Sequence, residues 1–388
     1  MSKVAKPHLL MRTRRMKPVF LAGRGLACAL GLDLEAALLT LRRGGAAPNV
    51  RPGAMHVSSG WNWPYHAIAD SDADSDADAN AGAPGAWLVR ARRIIEGVAR
   101  ASGALAGPRD GALFVGSSSL DIGICDDGGA LLGDCHRLAE QAAAWLDWRG
   151  AVYTVSTACT SSLNALLSAH AQVRDGHAEH ALVLGIELRN RVSVGGFGGM
   201  QLLSPCRALP LGAGRDGLVL GEAVAALHVS AAPARWRIAG GANVVDGRDA
   251  AGCVPAAVIA MCQQALAAAG LQAHEIDLIK PQAAGSPGND AAEILALRAV
   301  FEPMPQLIAL KGLIGHTLGA SGAAEIALLT ACLESGVWPG ADYPIDAALQ
   351  VCLAQDASHS PQPARHVLAS ILGFGGGHAA VVLQDNEA

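Results

Sequence analysis

The chain has 388 residues, 51% of them hydrophobic and 16% charged, with a formal net charge of -5. That length and apolar content can bury a large core and exclude a small disulfide-stapled scaffold, and length alone allows two or three domain-sized units. So small a net charge points to neither nucleic acid nor an anionic membrane as partner, and no uninterrupted apolar run approaches the roughly 18 residues of a membrane span.

The first residues, MSKVAKPHLLMRTRRM, are basic but lack the apolar stretch of a secretory signal. Residues 1–16 therefore read as a disordered extension, and the protein as cytoplasmic. From Pro18 the chain reads strand, Gly-rich turn, helix: VFLAGRG, then a helical pattern through Leu34, Leu38 and Leu41 that ends at Gly44-Gly45. Residues 70–80, DSDADSDADAN, are acidic and low in complexity, which predicts a solvated, mobile loop. A helix over AWLVRARRIIEGVARASGAL and a strand over GALFVGSSS follow. The strand AVYTVS (151–156) then runs directly into the helical stretch TACTSSLNALLSAHAQVRDG, closed by Gly176, and HALVLGIE is the next strand. Alternation of this kind predicts an α/β architecture with buried sheets.

WRIAGGA at 236–242 resembles VFLAGRG at 19–25, each an alternating strand ending in a Gly turn. After it come a helix from Val254 to Ala269, the strand IDLIKPQ, a helix from about Asn289, the strand PQLIAL and a helix from Gly319. Two strands, HVLASILG and AAVVLQ, joined by FGGGH, close the chain. The pattern predicts two similar α/β halves, one over 17–230 and one over 231–388.

Nine cysteines are scattered without a C-x-x-C pair or zinc spacing, as expected of buried thiols in a reducing compartment. Cys159 stands apart. In VSTACTSSLNAL a β-rich run ends in small residues and a helical pattern starts at once, which places this thiol at a strand-to-helix turn. Free N–H groups and the helix dipole there are expected to favour the thiolate and to hold an oxyanion. A second segment, ALKGLIGHTLGASGAAEIALL, carries Lys311, His316 and Glu325 among closely spaced glycines; a third, ILGFGGGHAAVV, implies a tight connection with exposed backbone N–H groups.

VSTACTSS, KPQAAGSPGND, LKGLIGHTLGASGAAE and LGFGGGHAA, with GMQLLSPCRALPLGAGRDGLVLGEA at 199–223, resemble in this order the motif set of the elongating β-ketoacyl-acyl-carrier-protein synthases. The resemblance runs from about residue 17 to 384. It implies a thiolase-type fold, two related halves in a five-layered α/β/α/β/α core, dimeric through strands beside the nucleophile. It also implies a ping-pong decarboxylative condensation of acyl and malonyl thioesters that needs no cofactor, because the substrates ride on the phosphopantetheine of an acyl carrier protein. By the same resemblance Cys159 matches the nucleophile, His316 the second catalytic histidine, Lys311 the active-site lysine and Glu325 the acid paired with it. Phe374 matches the residue that gates the acyl pocket, and its N–H, with that of Cys159, the oxyanion hole.

The chain departs from the family where the first catalytic histidine falls on Gln282. An amide can donate a hydrogen bond to a thioester oxygen but cannot shuttle a proton. Leu372 replaces a family Phe, Gly377-His378 replace Thr-Asn, and Gly212 stands where the family has an acid. Two expectations follow: a condensing enzyme with weakened decarboxylation, or a largely non-catalytic subunit that, like a chain-length factor of an aryl-polyene or other type II polyketide system, shapes the acyl tunnel of an active synthase. The expected partners are an acyl carrier protein and either a second copy or a second β-ketoacyl synthase.

Overall fold

The computed structural model describes residues 16–43, 53–58, 60–69, 85–354 and 364–388. The basic extension up to residue 15 and the acidic stretch 70–80 lie outside them. The strands in chain order are β1 (Phe20–Cys28), β2 (Gly53–Ser58), β3 (Trp61–His66), β4 (Ala112–Gly116), β5 (Val152–Val155), β6 (His180–Glu187), β7 (Leu220–Gly221), β8 (Ala223–Ser230), β9 (Trp236–Val245), β10 (Leu278–Lys280), β11 (Gln306–Leu307), β12 (His366–Leu372) and β13 (Gly377–Asp385). Ten of them are hydrogen-bonded in the order β11-β10-β12-β13-β9-β1-β8-β6-β4-β5.

That order is a repeat. Read outward from the middle, each half runs first strand, last strand, fourth, second, third of its own five. The halves meet where β1 and β9 pair, at Phe20↔Arg237 and Leu21↔Trp236. The two segments that resemble each other in sequence, 19–25 and 236–242, are these two middle strands.

Side-chain alternation builds the layers. Along β8, Ala223, Ala225, Leu227 and Val229 enter one core while Val224 and Ala226 enter another. Along β13, Ala379, Val381 and Leu383 join that first core and Ala380 and Val382 a third. The shared core is filled by two helices, Ser161–Arg174 and Ser321–Ser335, which contact strands of both halves. The second is buried along Ser321–Cys332 without a polar face, which is the signature of a helix enclosed on all sides. Helices Ala86–Ala101 and Arg137–Trp145 cover the outside of the first half, and Pro255–Ala269 and Pro287–Val300 the outside of the second. The result is the five-layered α/β/α/β/α arrangement.

Several elements differ from expectation. PQLIAL is a strand only at Gln306–Leu307, because the chain turns at Leu310 into a short helix, Lys311–Ile314. The β2–β3 hairpin and the helix Arg191–Gly199 carried no periodic signal. The latter holds four glycines in nine residues, and its first turn is set by Asn190, whose side chain accepts from Ser193 N–H at 2.7 Å. Strand β5, which leads to Cys159, lies at the end of the sheet with Tyr153 exposed.

Candidate active site

Between β5 and the helix Ser161–Arg174 the chain makes a tight elbow. Ala158 adopts φ 51°, a left-handed conformation rare for a residue with a Cβ. Local hydrogen bonds hold it: Thr157 N–H donates to Ser161 Oγ (2.9 Å), Ser161 Oγ to Ala158 O (2.6 Å) and Thr160 Oγ1 to Thr157 O (2.7 Å). Cys159 sits at the apex, two residues before the first helical turn and 4% exposed.

His316 arrives from the other half. Its N–H donates to Val219 O (2.7 Å) and its carbonyl accepts from Gly221 N–H (3.1 Å), which pins its backbone beside Leu220. The preceding Gly315 (φ 73°) packs so closely against Gly221 and Leu220 that a Cβ would lie 2.8 Å from their backbone atoms. The ring is thereby set with Nε2 3.2 Å from Cys159 Sγ and Nδ1 3.1 Å from Ser321 Oγ. Burial, then the charges of Lys311 and Lys280, push the His316 pKa well below its usual value, so the imidazole is neutral. With the thiol donating to Nε2, the proton on Nδ1 faces Ser321.

Gln282 reaches the same point. Its Nε2 lies 3.4 Å from His316 Nε2, and its Oε1 accepts a long hydrogen bond, 3.4 Å, from Leu372 N–H. Its loop is anchored by two buried carboxylates of the helix Pro287–Val300. Glu293 accepts from Gln282 N–H (2.8 Å) and Ala283 N–H (3.0 Å); Asp290 accepts from Ala284 N–H (3.1 Å), Gly285 N–H (3.1 Å) and Leu211 N–H (2.9 Å). Burial raises the pKa of Glu293 to about 7.

Lys311 and Glu325 form the buried ion pair that the resemblance implies, and a third member joins it. Glu325 Oε1 pairs with Lys311 Nζ and Oε2 with Lys280 Nζ, all three side chains being 1% exposed. Desolvation lowers the Lys280 pKa to about 8 against the attraction of Glu325. Lys280 was not among the residues singled out from the sequence, where a lysine at a strand end reads as a surface charge. Its burial depends on a carboxylate 45 residues away.

Phe374 lies where β12 turns into β13, with its N–H, alongside that of Cys159, directed at the sulfur. Its ring stacks on Phe197 of the glycine-rich helix, centroids 5.3 Å apart and 14° from parallel. Gly376 makes the turn possible: φ is 75°, and a Cβ there would sit 1.7 Å from Asp246 O. Cys159, Gln282, His316, Phe374, Leu372 and His378 all border one cavity of about 40 Å³, little more than one water molecule occupies.

One expectation is corrected. The helix N-terminus was expected to lower the Cys159 pKa, yet burial raises it to about 11, outweighing the Phe374 and Cys159 N–H groups and Lys311, which pull it down. The resting pair is thiol and neutral imidazole. At Gly212, where the resemblance places an acid, Arg215 donates to the backbone carbonyl and pairs with Asp346 at 2.6 Å. Among the described residues no group of three or more His, Cys, Asp or Glu is placed to hold a metal ion, and no helix is long and apolar enough to cross a membrane.

Two family profiles match in succession, "Beta-ketoacyl synthase, N-terminal domain" over residues 136–233 and "Beta-ketoacyl synthase, C-terminal domain" over 238–341. The chain belongs to the β-ketoacyl synthase family. Among relatives of this synthase-family chain, polyketide synthase ThaG of Burkholderia thailandensis is 31% identical over 283 residues, which are 62% of this chain but 5% of ThaG. The chloroplastic 3-oxoacyl-[acyl-carrier-protein] synthase II of Arabidopsis thaliana is 28% identical over 258 residues, 61% of this chain and 48% of that enzyme. The structure of the ketosynthase ApeO in complex with its chain length factor ApeC, from Xenorhabdus doucetiae, superposes with a TM-score of 0.78 at 24% identity, covering 95% of this chain and 98% of the matched one. That likeness is one of fold.

Proposed function

We propose that this chain transfers an acyl group from a carrier-protein thioester to Cys159 and condenses it with a malonyl thioester, with decarboxylation weakened at Gln282. The observation that carries the reading is the 3.2 Å contact between Cys159 Sγ and His316 Nε2, with two backbone N–H groups at the sulfur. In the first half-reaction His316 Nε2 takes the thiol proton as sulfur attacks the acyl carbonyl. The N–H groups of Cys159 and Phe374 receive the oxyanion, and the departing pantetheine sulfur takes the proton back. Lysine charges that oppose an imidazolium also favour the thiolate, so the proton moves through His316 without resting there.

In the second half-reaction the malonyl C–C bond breaks, carbon dioxide leaves, and its electron pair forms an enolate whose carbon attacks the acyl-enzyme and expels the Cys159 sulfur. Once the sulfur is acylated it no longer donates to His316, so the ring's own proton can shift from Nδ1 to Nε2 and donate to the enolate oxygen beside the Gln282 amide; the Cys159 thiolate expelled by condensation takes its proton from solvent. The amide replaces one imidazole donor. Losing a single such electrostatic partner typically costs ~2.7–4 kcal/mol of barrier. Lys311, Lys280 and Glu325 set the electrostatics behind His316.

The test is incubation with acyl-carrier protein followed by mass spectrometry of the adduct. Acylation is expected at Cys159 and absent from Cys159→Ser. An adduct that persists in the variant, or falls on Cys253 in the same cavity, overturns the reading.

A second reading, a chain-length-factor-like subunit, is supported by the Gln282 substitution and by β5. That strand ends the sheet, and its exposed Tyr153 stacks on Phe114 at 4.9 Å. An open strand edge next to the nucleophile suits pairing with a second subunit, like or unlike. Native mass spectrometry after co-expression with a two-histidine relative tests it. Homodimers alone leave this reading without support.

A further inference from the structure

His378 opens β13, flanked by Leu372 of β12 and Val244 of β9, and its ring borders the cavity shared by Cys159, Gln282 and His316. It is 1% exposed, yet neither ring nitrogen makes a hydrogen bond of good geometry among the described residues, the Gly377 carbonyl being the polar group at hand. A buried imidazole left unpaired is unfavourable unless something else completes it. The carboxylates, the Gln282 amide and the His316 ring on this wall are committed. Asp290 and Glu293 accept backbone N–H groups, Gln282 is tied to Leu372 and His316, and His316 to Ser321 and Cys159.

A malonyl-type substrate brings a negative charge into this enclosed space. Two cavity residues can become cationic, His316 and His378. Lys311 and Lys280 oppose a charge on His316. Burial lowers the pKa of both rings, but at His378 the secondary influences, the Gly377 carbonyl and the Asp246 carboxylate, work against that lowering, where at His316 the lysines add to it. A substrate carboxylate would add to the influence of Gly377 and Asp246.

We infer that His378 is a substrate-binding residue that donates a ring N–H to the free carboxylate of an α-carboxyacyl thioester, and so selects malonyl-type over plain acyl groups. The inference deepens the condensing-enzyme reading and rests on it for the substrate class. His378 holds the carboxylate that is lost, so it contributes to binding and not to the enolate.

The experiment measures binding of malonyl-pantetheine amide and butyryl-pantetheine amide, in which NH replaces the thioester sulfur, to the full chain and to His378→Asn by calorimetry. The wild type is expected to prefer the malonyl compound. His378→Asn is expected to weaken malonyl binding ~10- to 100-fold, the loss of one charge-assisted hydrogen bond, and butyryl binding less than twofold. His378→Gln, whose uncharged amide donor reaches further into the cavity than that of Asn, should fall between and serves if the Asn variant does not fold. In wild-type protein labelled at histidine, the malonyl amide should also shift the His378 ring resonances toward the protonated form while the butyryl amide does not. Equal losses for both amides, no loss, or no malonyl binding by the wild type overturns the inference. Acylation of Cys159, read separately by mass spectrometry, reports on the condensing-enzyme reading: it can fail while His378-dependent malonyl binding persists, and the reverse.

Discussion

Glu325→Gln exposes the electrostatics beneath the site. Both carboxylate oxygens of Glu325 are in use, one on Lys311 and one on Lys280, with all three side chains enclosed. An amide in that place can accept from one ammonium only, and its NH₂ group then confronts the other. Removing the shared partner of buried charges typically costs about 3–5 kcal/mol. The structure also sets a ceiling for Lys280. Its wild-type pKa is already about 8, so at about 1.36 kcal/mol per pH unit Lys280 can add only about 1 kcal/mol to the deficit at pH 7 before it releases its proton, and the rest falls on Lys311 and the lost carboxylate. The direction with pH follows. Below the folded-state pKa of Lys280 both folded and unfolded chains carry the proton and the penalty is complete; above about 10.4 neither carries it and the penalty is gone. Stability of the variant therefore climbs with pH between those limits, starting lower than in the wild type, whose Lys280 titrates at about 8. Urea unfolding followed by circular dichroism at pH 7 and pH 9.5 measures it. A deficit under about 1 kcal/mol at pH 7, or one equally large at both pH values, refutes this account of the charge cluster.

Gln282→His should raise malonyl decarboxylation roughly a hundredfold while leaving acylation of Cys159 within a few fold, since only the enolate leans on the second donor; single-turnover assays of each half-reaction separate them, and unchanged rates in both sink the argument. Alkylation of Cys159 by iodoacetamide should accelerate about tenfold per pH unit from pH 7 to pH 10, because a thiol pushed up to about 11 is almost wholly protonated at neutrality. A plateau below pH 8 would mean that a thiolate already rests at the site. Phe374→Ala should open the cavity by removing one face of the Phe197 stack, so that long acyl chains load faster relative to short ones in a competition assay; an unchanged preference places the gate elsewhere.

The layered fold was legible because its signals are local. Strand alternation, Gly-terminated helices and the likeness between residues 19–25 and 236–242 each survive without tertiary information. The short helix Arg191–Gly199 was not legible for the opposite reason. Each of its glycines opposes helix by roughly 1 kcal/mol, so packing decides its conformation, and with it the position of Phe197 against Phe374. The same division runs through the site. Cys159, His316, Lys311, Glu325, Gln282 and Phe374 stand in short motifs that read from the sequence alone. Lys280 and His378 do not: one is set by a carboxylate on a distant helix, the other by its enclosure at the cavity wall.

The Cys159 thiol shows how the two kinds of information can oppose each other. A helix N-terminus stabilises a thiolate by well under the cost of removing it from water, so a residue 4% exposed is governed by burial whatever motif it carries. Activation then has to come with the substrate. In the proposed mechanism the Phe374–Phe197 stack opens, a thioester carbonyl settles against the N–H groups of Cys159 and Phe374, and negative charge moves from sulfur to oxygen during attack. The donors need never support a free thiolate. A reactive thiolate in the empty site would meet solvent alkylators and oxidants as readily as substrate. On the proposed mechanism, a protonated thiol beside a neutral imidazole reacts slowly with alkylators at neutral pH and faster with a bound thioester.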